Sequence, residues 1–202
     1  MRLDDLGQYS DVLRARDGRP VTVRFAGPRD AEELQNYFRA LSARSRYNRF
    51  FGAISELPQT LLEHFVDVGE HDQFSVIATM VVDGVASIVG EARYAFHAES
   101  DIFEFGISVA DGWQRHGIGS ALMKNLECRA AAFGSVRMFA DTLRSNEAMI
   151  ALARQSGFTL VHHPDDWKLV RFDKEIALAP QEIPCASWRL AAAQRLERRS
   201  VI

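Results

Sequence analysis

The sequence predicts an α+β fold around a mixed sheet. Two observations lead there. Apolar, strand-like runs flank an Asp-Gly pair at 17–18 and another at 83–84, and Asp-Gly between such runs is a strong hairpin signal. Between residues 101 and 156 strand-like runs instead alternate with helical patterns. With 47% hydrophobic and 10% aromatic residues, the chain of 202 residues can support a full core.

The elements follow in order. Asp11 to Ala26 is the first hairpin, around Asp17-Gly18-Arg19-Pro20. Pro28-Arg29-Asp30 opens a helix, with Asp30 as the expected N-cap and Leu34, Tyr37, Phe38 and Leu41 as its apolar stripe. Ser42 to Phe51 is basic and aromatic and reads as a helix turning into a loop. Leu57 to Val68 is a further helix, with Pro58 tolerated in its first turn. Phe74 to Val82 and Val85 to Phe96 form the second hairpin. A strand from Asp101 to Val109 runs into a glycine turn, and a helix follows to Phe133, ended by Gly134. Val136 to Thr142 is a strand, Asn146 to Ser156 a helix stopped by Gly157. Phe158 to His162 and Trp167 to Phe172 close the pattern. Pro180 and Pro184 then interrupt it. Residues 1–174 read as the domain and 175–202 as an extension, with a short helix from Ser187 to Ser200 that places Trp188, Ala192 and Leu196 on one face.

Charge and composition exclude several classes. A net charge of −3 argues against a general nucleic-acid binder. No apolar run approaches the ~18 residues of a membrane span. Met1-Arg2-Leu3-Asp4-Asp5 lacks a signal-peptide pattern, so a reducing cytoplasm is the expected setting. Cys128 and Cys185 are expected to form neither a disulfide framework nor a zinc site, and no metal is expected.

The chemistry concentrates at Val109-Ala110-Asp111-Gly112-Trp113-Gln114-Arg115-His116-Gly117-Ile118-Gly119-Ser120. Glycines where a strand turns into a helix expose backbone N–H groups at the positive end of the helix dipole, which suits a phosphate. It is not a P-loop, because Ser120-Ala121 follows Gly119 where that motif needs Lys and then Ser or Thr. The dinucleotide fingerprint fails too: Leu122 stands at its third glycine, and half the chain precedes the motif. The spacing that fits is Gln-x-x-Gly-x-Gly, at Gln114, Gly117 and Gly119.

That hexapeptide, preceded by Val109, resembles the acetyl-CoA pyrophosphate motif of the GNAT N-acetyltransferase superfamily. Ser145 to Phe158, opening with Asn146 and ending in Gly157-Phe158, is similar to the family's later helix. Asp17-Gly18, Pro28-Arg29-Asp30 and Leu41 to Phe51 resemble the GNAT domain of bacterial Pat-type protein-lysine acetyltransferases. The resemblance implies a mostly antiparallel sheet with helices on both faces and two strands splaying apart beyond Val109. It implies acetyl-CoA as cosubstrate and an amine acceptor, either a small molecule or a protein lysine. Ile107 and Val109 would offer backbone groups to the pantetheine. Gln114, Arg115, His116, Gly117, Ile118, Gly119 and Ser120 would cradle the pyrophosphate, Arg115 adding a cation, and Asn146 would reach towards the cofactor arm.

Transfer to an ammonium requires removal of a proton. The resemblance gives that task to Glu104, and flanking Phe103 and Phe105 are expected to limit its hydration and raise its pKa. An exposed strand carboxylate, or a salt-bridge partner, is the plainer alternative. Glu91 is the second candidate and reads better as structural. Many relatives place a tyrosine, as acid for the leaving thiolate, seven residues after the helix-opening asparagine; here that position is Ala153. A non-catalytic acyl-CoA sensor is therefore the competing reading. His116 belongs to the turn rather than to catalysis, and His162 and His163 are expected at the surface. Arg44 to Phe51 reads either as an acceptor-side wall or as solvated arginines with Phe50 and Phe51 plugging the core. The basic C-terminal helix is a solvated tail or a homodimer contact.

Overall fold

Eight strands join in one sheet, seen in a computed structural model that describes residues 10–67 and 73–199. They are β1 (Ser10–Arg14), β2 (Pro20–Phe25), β3 (Gln73–Val82), β4 (Val85–His97), β5 (Ile102–Val109), β6 (Arg137–Leu143), β7 (Thr159–His162) and β8 (Leu169–Glu175). Their order is β1-β2-β3-β4-β5-β6-β8-β7. Neighbours are antiparallel except β5 and β6, which are parallel because a helix crosses over between them. Both expected hairpins form. Asp83 and Gly84 take φ of 50° and 82°, the left-handed pair whose twist matches that of the flanking strands.

Helices cover both faces. On one face lie α1 (Ala31–Ala40), α2 (Ala43–Phe50) and α3 (Gln59–Val66). Leu34, Tyr37 and Phe38 of α1 are buried as the helical spacing predicts, with the Phe38 ring 5.4 Å from both Phe65 and Phe50. Each such side chain contributes about 1.5–3 kcal/mol by leaving water. On the other face lie α4 (Ile118–Phe133), α5 (Glu147–Gln155) and α6 (Ala186–Arg199), over a larger core containing Tyr94, Phe103, Leu126 and Phe172.

Several expectations need correction. Asp30 does not cap α1 with its side chain. Its carboxylate accepts from Gly27 N–H at 2.8 Å and from both terminal nitrogens of Arg24, which pins the loop before the helix instead. Pro58 is the N-cap of α3 rather than part of its first turn. Val68 and Ser200, the expected helix ends, lie outside the described residues, as does the side chain of Leu196.

The cysteines also differ from expectation: Cys128 and Cys185 form a disulfide, with Cα atoms 6.0 Å apart across 57 positions. Packing of α6 on α4 creates that proximity, so spacing could not reveal it. The same packing buries Trp188, whose indole N–H donates to Asp11 at 2.9 Å, and whose ring lies 4.3 Å from the Arg129 guanidinium carbon.

Pairing between β5 and β6 covers only Ile102↔Arg137, Phe103↔Met138 and Glu104↔Phe139. The strands therefore part at Glu104, earlier than the expected point beyond Val109. β5 continues to pair with β4 as far as Val109↔Gly90, so its other edge is open. A bulge helps shape its end: Val89 is the extra residue on β4, and its carbonyl accepts from Ala110 N–H at 3.0 Å.

Candidate active site

A cavity of about 350 Å³ occupies the gap between the parted strands. Its walls come from both faces of the sheet. Ile107, Ala140, Asn146 and Met149 line one side, and Arg49, Phe51, His97 and Glu104 the other. A linear ligand can therefore meet a second reactant across the sheet.

At the end of β5 the chain makes the glycine turn. Asp111–Trp113 is a single 3₁₀ turn, Arg115 takes φ 64°, and Gly117, with φ 88°, caps α4. The first intrahelical bond runs from Ala121 N–H to the Gly117 carbonyl. The N–H groups of Ile118, Gly119 and Ser120 precede it and have no helical acceptor, and the glycine cap has no side chain to take them. These three donors, in line with the helix dipole, fit a diphosphate. Gln114 uses its side chain on the protein itself: Nε2 donates to the Val109 carbonyl at 3.2 Å and the Ser45 hydroxyl at 3.3 Å. That carbonyl of Val109 is thus already engaged. His116 Nδ1 meets the Gln114 carbonyl at 2.8 Å, which keeps the ring within the turn. Arg115 is exposed.

The two motifs touch. A Cβ on Gly119 would come within 3.0 Å of Leu152 Cδ2, so glycine lets α5 close on the turn. Asn146 caps α5, accepting from Met149 N–H at 3.3 Å, and donates to the Thr142 hydroxyl at 3.1 Å, while lining the cavity.

Glu104 lies on the cavity wall with its side chain 51% exposed. The expected desolvation by Phe103 and Phe105 does not occur. Adjacent residues on a strand point to opposite faces, and both rings are buried in the core on the far side. The neighbour of Glu104 is His97, with Nε2 3.3 Å from Oε2.

Glu91 is fully buried. Arg49 donates to it through Nε at 3.1 Å and Nη2 at 2.9 Å, the Ser108 hydroxyl donates at 3.0 Å, and Tyr37 meets that hydroxyl at 2.9 Å. Burial disfavours the charge on Arg49, but the Glu91 carboxylate outweighs it and raises the guanidinium pKa. Burial, with Glu91 close by, raises the Tyr37 phenol. Glu91 is thus a structural ion-pair partner.

The Arg44-to-Phe51 segment divides between its two readings. Arg49 is partly buried in this pair and Arg46 donates to the Ile54, Arg39 and Leu41 carbonyls, whereas Arg44 is exposed. Phe50 packs on the core and Phe51 lines the cavity.

Asp111 anchors this segment to the turn, accepting from Ser42 N–H and from the Ser42 and Ser45 hydroxyls, each at 2.8 Å. Burial opposes its ionisation, but these donors prevail and hold it below the usual carboxylate value.

Other neighbours of the site were not singled out from sequence. Arg16, on the first hairpin, donates its backbone N–H to the His116 carbonyl at 2.7 Å, which brings an exposed arginine beside the turn. His163, expected at the surface, is partly buried: its side chain is 12% exposed, its Nδ1 accepts from the Asp165 and Asp166 N–H groups, and its Nε2 lies 3.4 Å from Asp141. Asp141 in turn holds Arg171 through two bonds of 2.8 Å. Ala153 is fully buried. Among the described residues no cluster of side chains suits a metal, and no helix is long and apolar enough to cross a membrane.

Comparison with known proteins agrees with this geometry. The acetyltransferase (GNAT) family matches residues 38–158. An acetyltransferase of Pseudomonas aeruginosa is 31% identical over 150 residues, covering 74% of this chain and 81% of that protein. Acetyltransferase Pat of Mycolicibacterium smegmatis is 28% identical over 138 residues, covering 68% of this chain but only 40% of that protein. The crystal structure of the GNAT domain of S. lividans Pat superposes with a TM-score of 0.76 at 26% identity, covering 83% of this chain and 97% of that one. A strand gap backed by a glycine-capped helix, together with these matches, places the chain in the GNAT acetyltransferase family.

Proposed function

We propose that this chain transfers an acetyl group from acetyl-CoA to a primary amine, with Glu104 as the base. The observation that carries the reading is the cavity through the parted strands, with Glu104 on one side and Asn146 and the open N–H groups of α4 towards the other. The family match supports acetyl-CoA as the cosubstrate. When bound, it supplies a thioester carbonyl activated for attack. Ile118, Gly119 and Ser120 donate N–H groups to its diphosphate, and the unpaired edge of β5 around Ile107 offers backbone groups to its arm.

Glu104 takes the proton from the amine, directly or through one water. The nitrogen lone pair then attacks the carbonyl carbon, the nitrogen loses its second proton to water, and the carbon–sulfur bond breaks. Ala153 provides no proton for the thiolate, so it leaves as the anion, which its low basicity permits, and takes that second proton through water. The likeness to Pat supports a protein lysine as acceptor; a small amine fits the same cavity.

The test is steady-state kinetics of Glu104→Gln with acetyl-CoA and a panel of amines and lysine peptides. We expect kcat to fall about 10²–10⁴-fold with coenzyme A affinity unchanged. Full activity in the variant removes Glu104 as base. Coenzyme A binding without turnover of any amine by the unsubstituted protein would favour a sensor.

A further inference from the structure

We propose that His97 relays to solvent the proton that Glu104 removes from the amine; this rests on the reading of Glu104 as base. The two residues are diagonal neighbours across the β4–β5 ladder, where Ala95 pairs with Glu104 and His97 with Ile102. His97 Nε2 lies 3.3 Å from Glu104 Oε2, and both side chains line the cavity. Each is about half exposed, at 49% and 51%, so the imidazole has the carboxylate on one side and water on the other.

A base must discharge its proton after every turnover, and the aromatic neighbours expected to tune Glu104 face away. His97 is the titratable group in contact with it. The steps balance. The amine N–H bond breaks as the Glu104 O–H bond forms. That proton passes to the lone pair of neutral Nε2, Glu104 regains its charge, the imidazolium gives its Nδ1 proton to water, and exchange with water restores the Nδ1–H tautomer before the next turnover. The relay requires the imidazole proton on Nδ1 beforehand.

The other charged groups around the pair are mostly committed. Arg49 of α2 is bound to Glu91 and Asp141 of β6 to Arg171 of β8. Arg93, on the same face of β4, donates to Gln73 of β3. Arg171 also lies within electrostatic range of Glu104. Glu99 and Asp101 sit in the adjoining turn. None of these cations makes a direct bond to Glu104 among the described contacts, so the imidazole is its direct partner.

His97 acts through Glu104 and is a positioning and relay residue, so its test needs a readout that folding alone would not move. Coenzyme A release from acetyl-CoA with poly-L-lysine and with small amines is followed from about pH 6 to 9 for the unsubstituted protein, His97→Gln, His97→Ala and Glu104→Gln. We expect His97→Gln to lose about 10–100-fold in kcat at unchanged KM for acetyl-CoA. Its rate should become dependent on buffer concentration, and added imidazole should restore His97→Ala. A pH profile for His97→Gln that superimposes on the original, with no imidazole rescue, overturns the relay while a slow Glu104→Gln still upholds the base. Full activity in Glu104→Gln, or no coenzyme A release with any amine, overturns both.

Discussion

Nη1 of Arg49 lies 2.8 Å from the point that a Cβ on Gly106 would occupy. The other two nitrogens of that guanidinium are bound to Glu91, so it cannot swing aside without breaking the pair. Glycine at 106 is what allows an arginine to lie across β5 at the strand gap. Gly106→Ala should destabilise the protein by about 1–3 kcal/mol through overpacking. Arg49→Met, which strands a buried carboxylate, should cost about 3–5 kcal/mol. Urea denaturation checks both. Arg49→Met combined with Glu91→Leu should recover much of the loss, and a double variant no more stable than Arg49→Met would refute the pairing as the cause.

Gly117 tests the turn. Its φ of 88° is unfavourable for any side chain, and a Cβ there would lie 3.0 Å from the backbone nitrogen of Arg16. Gly117→Ala should cost about 1–2 kcal/mol and weaken coenzyme A binding at least about tenfold. Gly119→Ala crowds the flexible end of Leu152 and makes an ordinary contact with Val109, so it should do less. Thermal melts and calorimetric titrations of the two variants give the comparison.

Asp30 links stability to pH. Burial opposes its ionisation, but the Arg24 side chain and the Gly27 N–H prevail, so its pKa lies below the ordinary 3.8. A carboxylate with a lowered folded-state pKa stabilises fully above the unfolded value, and that contribution fades as pH falls through the folded one. Asp30→Asn should therefore lose about 1.5–3 kcal/mol near pH 7, and its deficit against the original protein should shrink steadily below about pH 4. Urea midpoints measured across that range should converge at the acid end; parallel curves would contradict this.

The Cys128–Cys185 bond ties the extension covalently to α4. Thiol titration of unfolded, unreduced protein should find none of the two thiols of the sequence, and reduction should release both. Cys185→Ser should lower stability by about 2–4 kcal/mol, read as a fall in the urea midpoint.

What the residues disclosed in advance was local. The Asp83-Gly84 turn, the α1 stripe and the Gly117 turn depend on neighbours within one or two turns of chain, and each formed where its pattern lay. The unforeseen features depend on residues that only folding brings together. Arg49 and Glu91 are 42 positions apart, and Cys128 and Cys185 57. Glu104 shows how a local rule misleads. Phe103 and Phe105 adjoin it in sequence, yet strand alternation turns them to the opposite face, while His97, seven positions away, crosses the hairpin to reach it.

The most direct test of the central claim is calorimetric titration of the whole chain with coenzyme A. We expect saturable heat with one site per chain, greatly weakened in Gly117→Ala. An absence of heat with the unsubstituted protein up to about millimolar ligand, where binding free energy falls to about −4 kcal/mol, would contradict the assignment of the 118–120 amides and the strand gap to this cofactor.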